Sequence, residues 1–219
     1  MFKNLNLLEI KHEIAKISNE VEIVAVSKNH PKEDVIKAIK AGVKTYGENR
    51  VQEAEVKFRD LKKIFHDIEL HMTGPLQTNK VKLALEFFDV FQTLDRPKLL
   101  KEFCKNLSLS KTKKFFVQIN TGNEKNKSGV TTSNANDFII ECKDKLGKSI
   151  VGLMCIPPID QNPKDHFDYL FNLSKFHELK NLSMGMSSDY LIAVQCGATH
   201  VRIGTKLFGN RLWKNLLLT

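Results

Sequence analysis

The sequence predicts an α/β protein in which eight parallel strands close into a single (β/α)8 TIM barrel, with an extra helix ahead of the first strand. Three observations carry that expectation. Short apolar runs recur eight times along the 219 residues, and segments with helical spacing of apolar positions lie between them. The connections are short, and consecutive parallel strands need a helix-sized crossover of this kind. The length sits at the short end for a barrel, so residues 1–219 read as one domain with little room for an insertion. An open, doubly wound sheet shares the same alternation and is the alternative arrangement.

The elements follow in order. Residues 3–19 form the leading amphipathic helix. The first strand is Glu22–Lys28, and Pro31–Gly42 is a helix with proline in its first turn and glycine at its stop. Strand Lys44–Asn49 precedes helix Val51–Ile64, and strand Glu69–Gly74 precedes helix Asn79–Phe87. Strand Asp89–Leu94 leads to helix Lys98–Leu107. Strand Lys114–Asn120 leads, through a polar loop over 120–129, to helix Ala135–Leu146. Strand Ile150–Ile156 and helix His166–His177 come next. Strand Leu182–Met186, helix Ser188–Gly197 and strand His200–Gly204 complete the set.

Composition narrows the function classes. Hydrophobic residues make up 42% of the chain and include 14 Phe, enough for a substantial core. No apolar run reaches membrane-spanning length, and the N-terminal stretch carries Glu9 and does not read as a signal peptide, so a cytoplasmic protein is expected. Cys104, Cys142, Cys155 and Cys196 form no C-x-x-C pair, and no zinc-ligand spacing links them to the 7 histidines. The net charge of +9 is spread along the chain in groups such as Lys111 to Lys114, without a basic block beside stacking aromatics. It reads as solvated helix faces, and nucleic acid is not an expected partner.

In a barrel, chemistry belongs at the C-terminal ends of the strands, often with a phosphate site near the last two. Lys28 ends the first strand, Ser187 follows the seventh, and Gly204-Thr205 ends the eighth. Lys28 shares strand parity with Val24 and Val26, so its amine faces inward if they do. Poor solvation lowers the pKa of such an amine and lets it attack an aldehyde. The segment from Ser183 to Ser188 combines glycine, hydroxyls and a helix start; Gly204 permits close backbone approach, and Thr205 adds a hydroxyl donor. An amine and a phosphate cradle from opposite ends of one chain point to pyridoxal 5′-phosphate (PLP), held as a covalent Schiff base on Lys28. The plain alternatives are a surface lysine and ordinary turn residues with a capping serine.

Other residues keep two readings. Arg202 shares parity with Gly204 and meets either the pyridine nitrogen of PLP or Glu48 in a salt bridge inside the barrel. Asn49, beside Lys28, is a candidate for the ring or its O3′ hydroxyl. Tyr46 is either barrel packing or a base; His71 is a buried, hydrogen-bonded histidine or a base. The 120–129 loop is a lid, a second anion site or a plain connection.

Val26-Ser-Lys28, Tyr46-Gly-Glu-Asn-Arg-Val-Gln-Glu53, His71-Met-Thr-Gly-Pro-Leu-Gln-Thr-Asn-Lys80, Lys127-Ser-Gly129, Gly152-Leu-Met154, Leu182-Ser-Met-Gly-Met-Ser187 and Val201-Arg-Ile-Gly-Thr-Lys-Leu-Phe-Gly209 occur in this order. Together, spanning residues 24 to 211, they resemble the PLP homeostasis protein family. The resemblance implies a barrel similar to the N-terminal domain of alanine racemase, PLP on Lys28, phosphate contacts from Ser187, Gly204 and Thr205, and Asn49 and Arg202 near the ring. It also implies a non-enzymatic carrier or regulator of vitamin B6, with PLP-dependent apoenzymes as candidate partners. Met72-Thr73 departs from the bulkier Phe-Ile expected after the histidine, and Arg50 stands where an aromatic or small residue is common.

Alanine racemase-like enzymes take a second base, a tyrosine, from a separate C-terminal domain of the partner subunit. Only ten residues follow Gly209, so a carrier is the expectation and a weak PLP-dependent amino-acid racemase the alternative. A third reading is a barrel enzyme that binds a sugar phosphate without PLP. A monomer is expected, with a dimer as the alternative.

Overall fold

The structure, a computed structural model, describes residues 1–110 and 112–209. Lys111, part of one lysine group, and the last two positions of the motif span lie outside the described residues, as do the other residues after Gly209. Nine strands are present among the described residues: β1 (Glu22–Val26), β2 (Thr45–Glu48), β3 (Glu69–Met72), β4 (Val90–Leu94), β5 (Lys114–Asn120), β6 (Val130–Thr131), β7 (Ile150–Cys155), β8 (Asn181–Met186) and β9 (His200–Ile203). Their order is β4-β3-β2-β1-β9-β8-β7-β5-β6, with β4 also paired to β5. Every pairing is parallel. The β4–β5 and β1–β9 pairings close eight strands into a ring, and β6 adds two residues beside β5. The barrel is the closed one, and the open sheet is set aside.

The helices are α1 (Asn4–Ala15), α2 (Lys32–Lys40), α3 (Val51–Phe58), α4 (Leu61–Ile64), α5 (Val81–Phe87), α6 (Pro97–Lys105), α7 (Leu107–Ser110), α8 (Ala135–Leu146), α9 (Pro163–Phe176), α10 (Tyr190–Gln195) and α11 (Thr205–Phe208). The main apolar core lies between them and the outer face of the sheet. Ala25, Tyr46, Leu70, Phe91, Phe115, Leu153 and Val201 from the strands meet Phe58, Phe103 and Phe167 from the helices there. A smaller cluster of Val90, Phe116 and Met154 packs separately, inside the ring. A parallel sheet covered on both faces needs such near-continuous apolar strands.

Several boundaries differ from the sequence reading. The single helix expected over Val51–Ile64 is two, α3 and α4, broken at Arg59-Asp60. The helix expected from Ser188 begins at Tyr190, because the Asp189 side chain turns back to accept the Met186 amide at 2.6 Å. Strand β1 stops at Val26, two residues before Lys28; Asn29 then takes a left-handed φ of 61°, which asparagine tolerates better than most residues.

Candidate functional site

The C-terminal ends of β1, β2, β3, β7, β8 and β9 surround a cavity of about 320 Å³, within the range of small-molecule sites. Its lining includes Lys28, Asn49, Ser187, Arg202, Gly204 and Thr205, all six residues singled out in the sequence. The side-chain alternation of the strands brings them together. A Cβ on Gly47 would touch Val24, Val26 and Thr73, so Gly47 points into the barrel. Its neighbour-but-one Asn49 therefore points inward as well, and Glu48 outward.

That alternation corrects the proposed Arg202–Glu48 bridge. Glu48 is fully buried on the helix side, where Lys57 of α3 reaches its Oε1 at 2.8 Å and the Ser27 hydroxyl donates to the same oxygen at 2.6 Å. Burial pushes the Glu48 carboxyl up, while the Lys57 charge pulls it back. Lys57 also donates to the Ser27 carbonyl at 2.6 Å and pairs with Glu53 at 2.8 Å; Glu53 in turn accepts the Asn29 amide at 2.5 Å. A buried ion pair thus fixes the residues on either side of Lys28. Sequence reasoning missed Lys57; its signal was an i, i+4 pairing with Glu53 on a helix that must cover Glu48.

Arg202 is 4% exposed. Its guanidinium donates to Ser183 Oγ at 2.7 Å and to the Cys155 carbonyl at 2.8 Å, and it makes no ion pair with a carboxylate among the described residues. Burial lowers its pKa. Across the cavity, the Thr73 hydroxyl lies 3.0 Å from Asn49 Oδ1 and 3.2 Å from the Glu48 carbonyl, two acceptors for its one hydrogen, and the Asn49 NH2 is a donor on the cavity side. Ser187 at the end of β8 lies over the start of α11, where the Lys206 amide approaches its hydroxyl at 3.5 Å. A Cβ on Gly204 would meet only ordinary contacts with Val26, at 3.5 and 3.7 Å. No protein atom requires the glycine; what it leaves open is cavity.

His30, Thr73, Ile156 and Met186 also line the cavity. His30 is buried against Phe208, its Nδ1 has no partner among the described residues, and burial lowers its pKa. Tyr46 and His71 do not line it. Tyr46 packs on Phe58 outside the strands and donates to the Val43 carbonyl at 3.0 Å, with its phenol pushed up by burial. His71 is held by Glu69 and Gln92 deeper in the barrel. Neither is placed to act as a base at Lys28. The 120–129 loop contributes nothing to the lining. It is braced on itself, with Asn120 bonded to Glu124 at 2.8 Å and Asn123 to Thr132 at 2.8 Å.

Known proteins resemble this chain along most of its length. A family model for the alanine racemase N-terminal domain matches residues 5–211. The pyridoxal phosphate homeostasis protein of Aquifex aeolicus is 36% identical over 203 residues, covering 88% of each chain. That of Escherichia coli is 30% identical over 223 residues, covering 94% of this chain and 95% of its own. The chain belongs to the pyridoxal phosphate homeostasis protein family. Within the pyridoxal phosphate homeostasis proteins and their structural kin, PipY of Synechococcus elongatus, solved with PLP bound, superposes with a TM-score of 0.80 at 29% identity, covering 94% of this chain and 99% of that one. Alanine racemase of Acinetobacter baumannii shares the fold, with a TM-score of 0.73 at 16% identity over 62% of its length. Among the described residues, no helix is long and apolar enough to cross a membrane.

Proposed function

We propose that this protein binds PLP in the cavity at the barrel mouth and serves PLP homeostasis, storing the cofactor and releasing it to PLP-dependent apoenzymes, without catalysis of its own. The observation that carries the proposal is one cavity lined by an amine, a buried guanidinium that makes no ion pair with a carboxylate among the described residues, and the hydroxyls of Ser187 and Thr205. A buried cation whose hydrogen bonds go to a hydroxyl and a carbonyl keeps donors for an acceptor-bearing ligand. The open space beside Gly204 suits a phosphate approaching the backbone.

In this reading Lys28 supplies the amine that would hold PLP as a Schiff base. Ser187, Gly204 and Thr205 hold the phosphate. Arg202 would donate to the ring nitrogen, and because arginine keeps its proton the bound ring would be a weak electron sink. Asn49 donates its amide NH2 toward the ring. A carrier role fits the absence of Tyr46 and His71 from the lining: neither candidate base reaches the place where a racemase would need one. We further propose a cytoplasmic monomer whose single barrel domain carries the whole site.

The test is borohydride reduction of PLP-loaded protein followed by peptide mass mapping. The reduced adduct is expected on Lys28, and Lys28→Ala should lose the visible band while keeping its circular dichroism. An adduct on another lysine, or no uptake of added PLP, would overturn the assignment.

A further inference from the structure

A continuous file of polar side chains crosses the barrel from its floor to the cavity. Arg202 Nη1 donates to Ser183 Oγ at 2.7 Å, and Ser183 Oγ lies 2.6 Å from Gln92 Oε1. Gln92 Nε2 lies 2.7 Å from His71 Nδ1, and His71 Nε2 lies 2.8 Å from Glu69 Oε1. Lys114 completes the floor with a 2.7 Å contact to Glu69 Oε2. Gln92 belongs to β4 and Ser183 to β8, which are not neighbours in the sheet, so their bond spans the interior. His71, Gln92 and Ser183 are each fully buried.

The two ends fix the direction. A guanidinium can only donate, and an ionised carboxylate can only accept. In the Nε2–H tautomer of His71, Nε2 donates to Glu69 and Nδ1 accepts from the Gln92 amide. Gln92 Oε1 is then free to accept the Ser183 hydroxyl, whose oxygen receives Arg202. Each of the four links then has one donor and one acceptor, and all run toward Glu69. Reversing the Gln92 amide would require a proton on both His71 nitrogens and strand the Ser183 hydrogen. The His71 contact, followed by Lys114, holds the Glu69 carboxyl down at about 2, so the acceptor end stays ionised. His200, beside His71, is pushed down to about 3 by its burial and adds no charge to the file.

We propose that Glu69, His71, Gln92 and Ser183 are positioning residues that orient Arg202 toward the ring of bound PLP. The proposal rests on PLP occupying this cavity. The file takes one Nη1 hydrogen and the Cys155 carbonyl takes one from Nη2, which fixes the plane of the guanidinium and leaves its other donors for the ligand.

The experiment has an apo and a loaded arm. In the apo protein, nitrogen chemical shifts of His71 should report the Nε2–H tautomer with Nδ1 accepting, and Gln92→Leu should abolish that preference. A cationic or Nδ1–H His71 would overturn the directionality. In the loaded arm, PLP is titrated by visible absorbance. Ser183→Ala is expected to weaken binding about tenfold, the scale of one hydrogen bond to a charged group, and to shift the visible band. Ser183→Thr, which keeps the hydroxyl, should restore both, and Gln92→Leu should shift the band without touching the cavity. Wild-type affinity and an unmoved band in correctly folded Ser183→Ala and Gln92→Leu would refute the inference. Failure of the wild type to take up PLP would refute the functional reading instead, while the His71 tautomer still tests the file.

Discussion

Replacing Lys57 with methionine should cost about 3–5 kcal/mol of stability at pH 7.5, the usual penalty for stranding one partner of a buried ion pair. Methionine keeps the length of the side chain and removes its charge. Lys57 is buried, and three acceptors depend on it within 2.8 Å: the Ser27 carbonyl, Glu48 and Glu53. Glu48 suffers most, since it is fully buried and its Oε2 has no partner among the described residues. For a chain of this size the loss corresponds to a fall of about 6–20 °C in Tm.

The pH dependence carries the stronger test. Burial already raises the Glu48 carboxyl in the folded protein, and removing Lys57 takes away the largest influence that lowers it. An acid raised in the folded state favours folding when protonated, below its unfolded value of about 4.3. That advantage is lost as pH rises through the folded pKa. The deficit of Lys57→Met should therefore be smallest near pH 4 and grow toward neutrality. Urea unfolding followed by circular dichroism from pH 4 to 8 measures it. A loss below about 1 kcal/mol, or one of constant size across that range, would refute the reasoning. The same variant should hold PLP less firmly, because Lys57 and Glu53 brace the turn that presents Lys28.

Thr205→Val removes one proposed phosphate donor and should weaken PLP retention by about 1–2 kcal/mol, read as a 5- to 30-fold change in a binding titration; unchanged affinity would place the phosphate elsewhere. Thr73→Val removes the hydroxyl that fixes the Asn49 amide and should weaken binding by about 0.5–1.5 kcal/mol with Tm nearly unaltered, whereas a large fall in Tm would assign Thr73 to stability alone. Gly185→Ala forces a side chain onto a φ of 89° and sets its Cβ 2.5 Å from Ala193 Cβ. Its thermal unfolding should report a loss of about 2–5 kcal/mol, and a wild-type melting curve would contradict the crowding seen there.

The strands were legible because a parallel sheet covered on both faces writes itself as continuous apolar runs, and β5 from Lys114 to Asn120 matches to the residue. Strand ends were less so. Lys28, Asn49 and Gly204 keep the inward parity of their strands but lie past the last ladder bonds, so periodicity counts them in while hydrogen bonding does not. The α3–α4 break was hidden because helical spacing of apolar residues continues through Arg59-Asp60. Two residues of β6 are too few to show a period. At the site, polar residues at inward strand ends were readable one by one, and all six reach the cavity. The Glu48 bridge failed on a rule already in hand, since adjacent Glu48 and Asn49 cannot both face inward. The file from Arg202 to Glu69 was invisible because β4 and β8 meet only across the closed barrel, and no local spacing announces a contact between Gln92 and Ser183.

The seam between β1 and β9 has a consequence for how the protein comes into being. It joins Glu22–Ala25 to His200–Ile203, the first barrel strand to the last, and α1 is tied to the same end through the Lys3 amide and the Leu207 carbonyl at 2.8 Å. The cavity straddles that seam, with Val26 and Lys28 on one side and Arg202, Gly204 and Thr205 on the other. A growing chain on the ribosome has Lys28 early but acquires the opposite wall, from Arg202 to Thr205, only after the rest of the barrel has been made. Closing so long a loop is among the slowest contacts a fold can form. A ligand gripped from both sides therefore has no hold on a nascent or half-folded chain and adds its free energy only to the finished ring. Binding becomes a clasp that fastens last, and its occupancy is a record of a closed barrel.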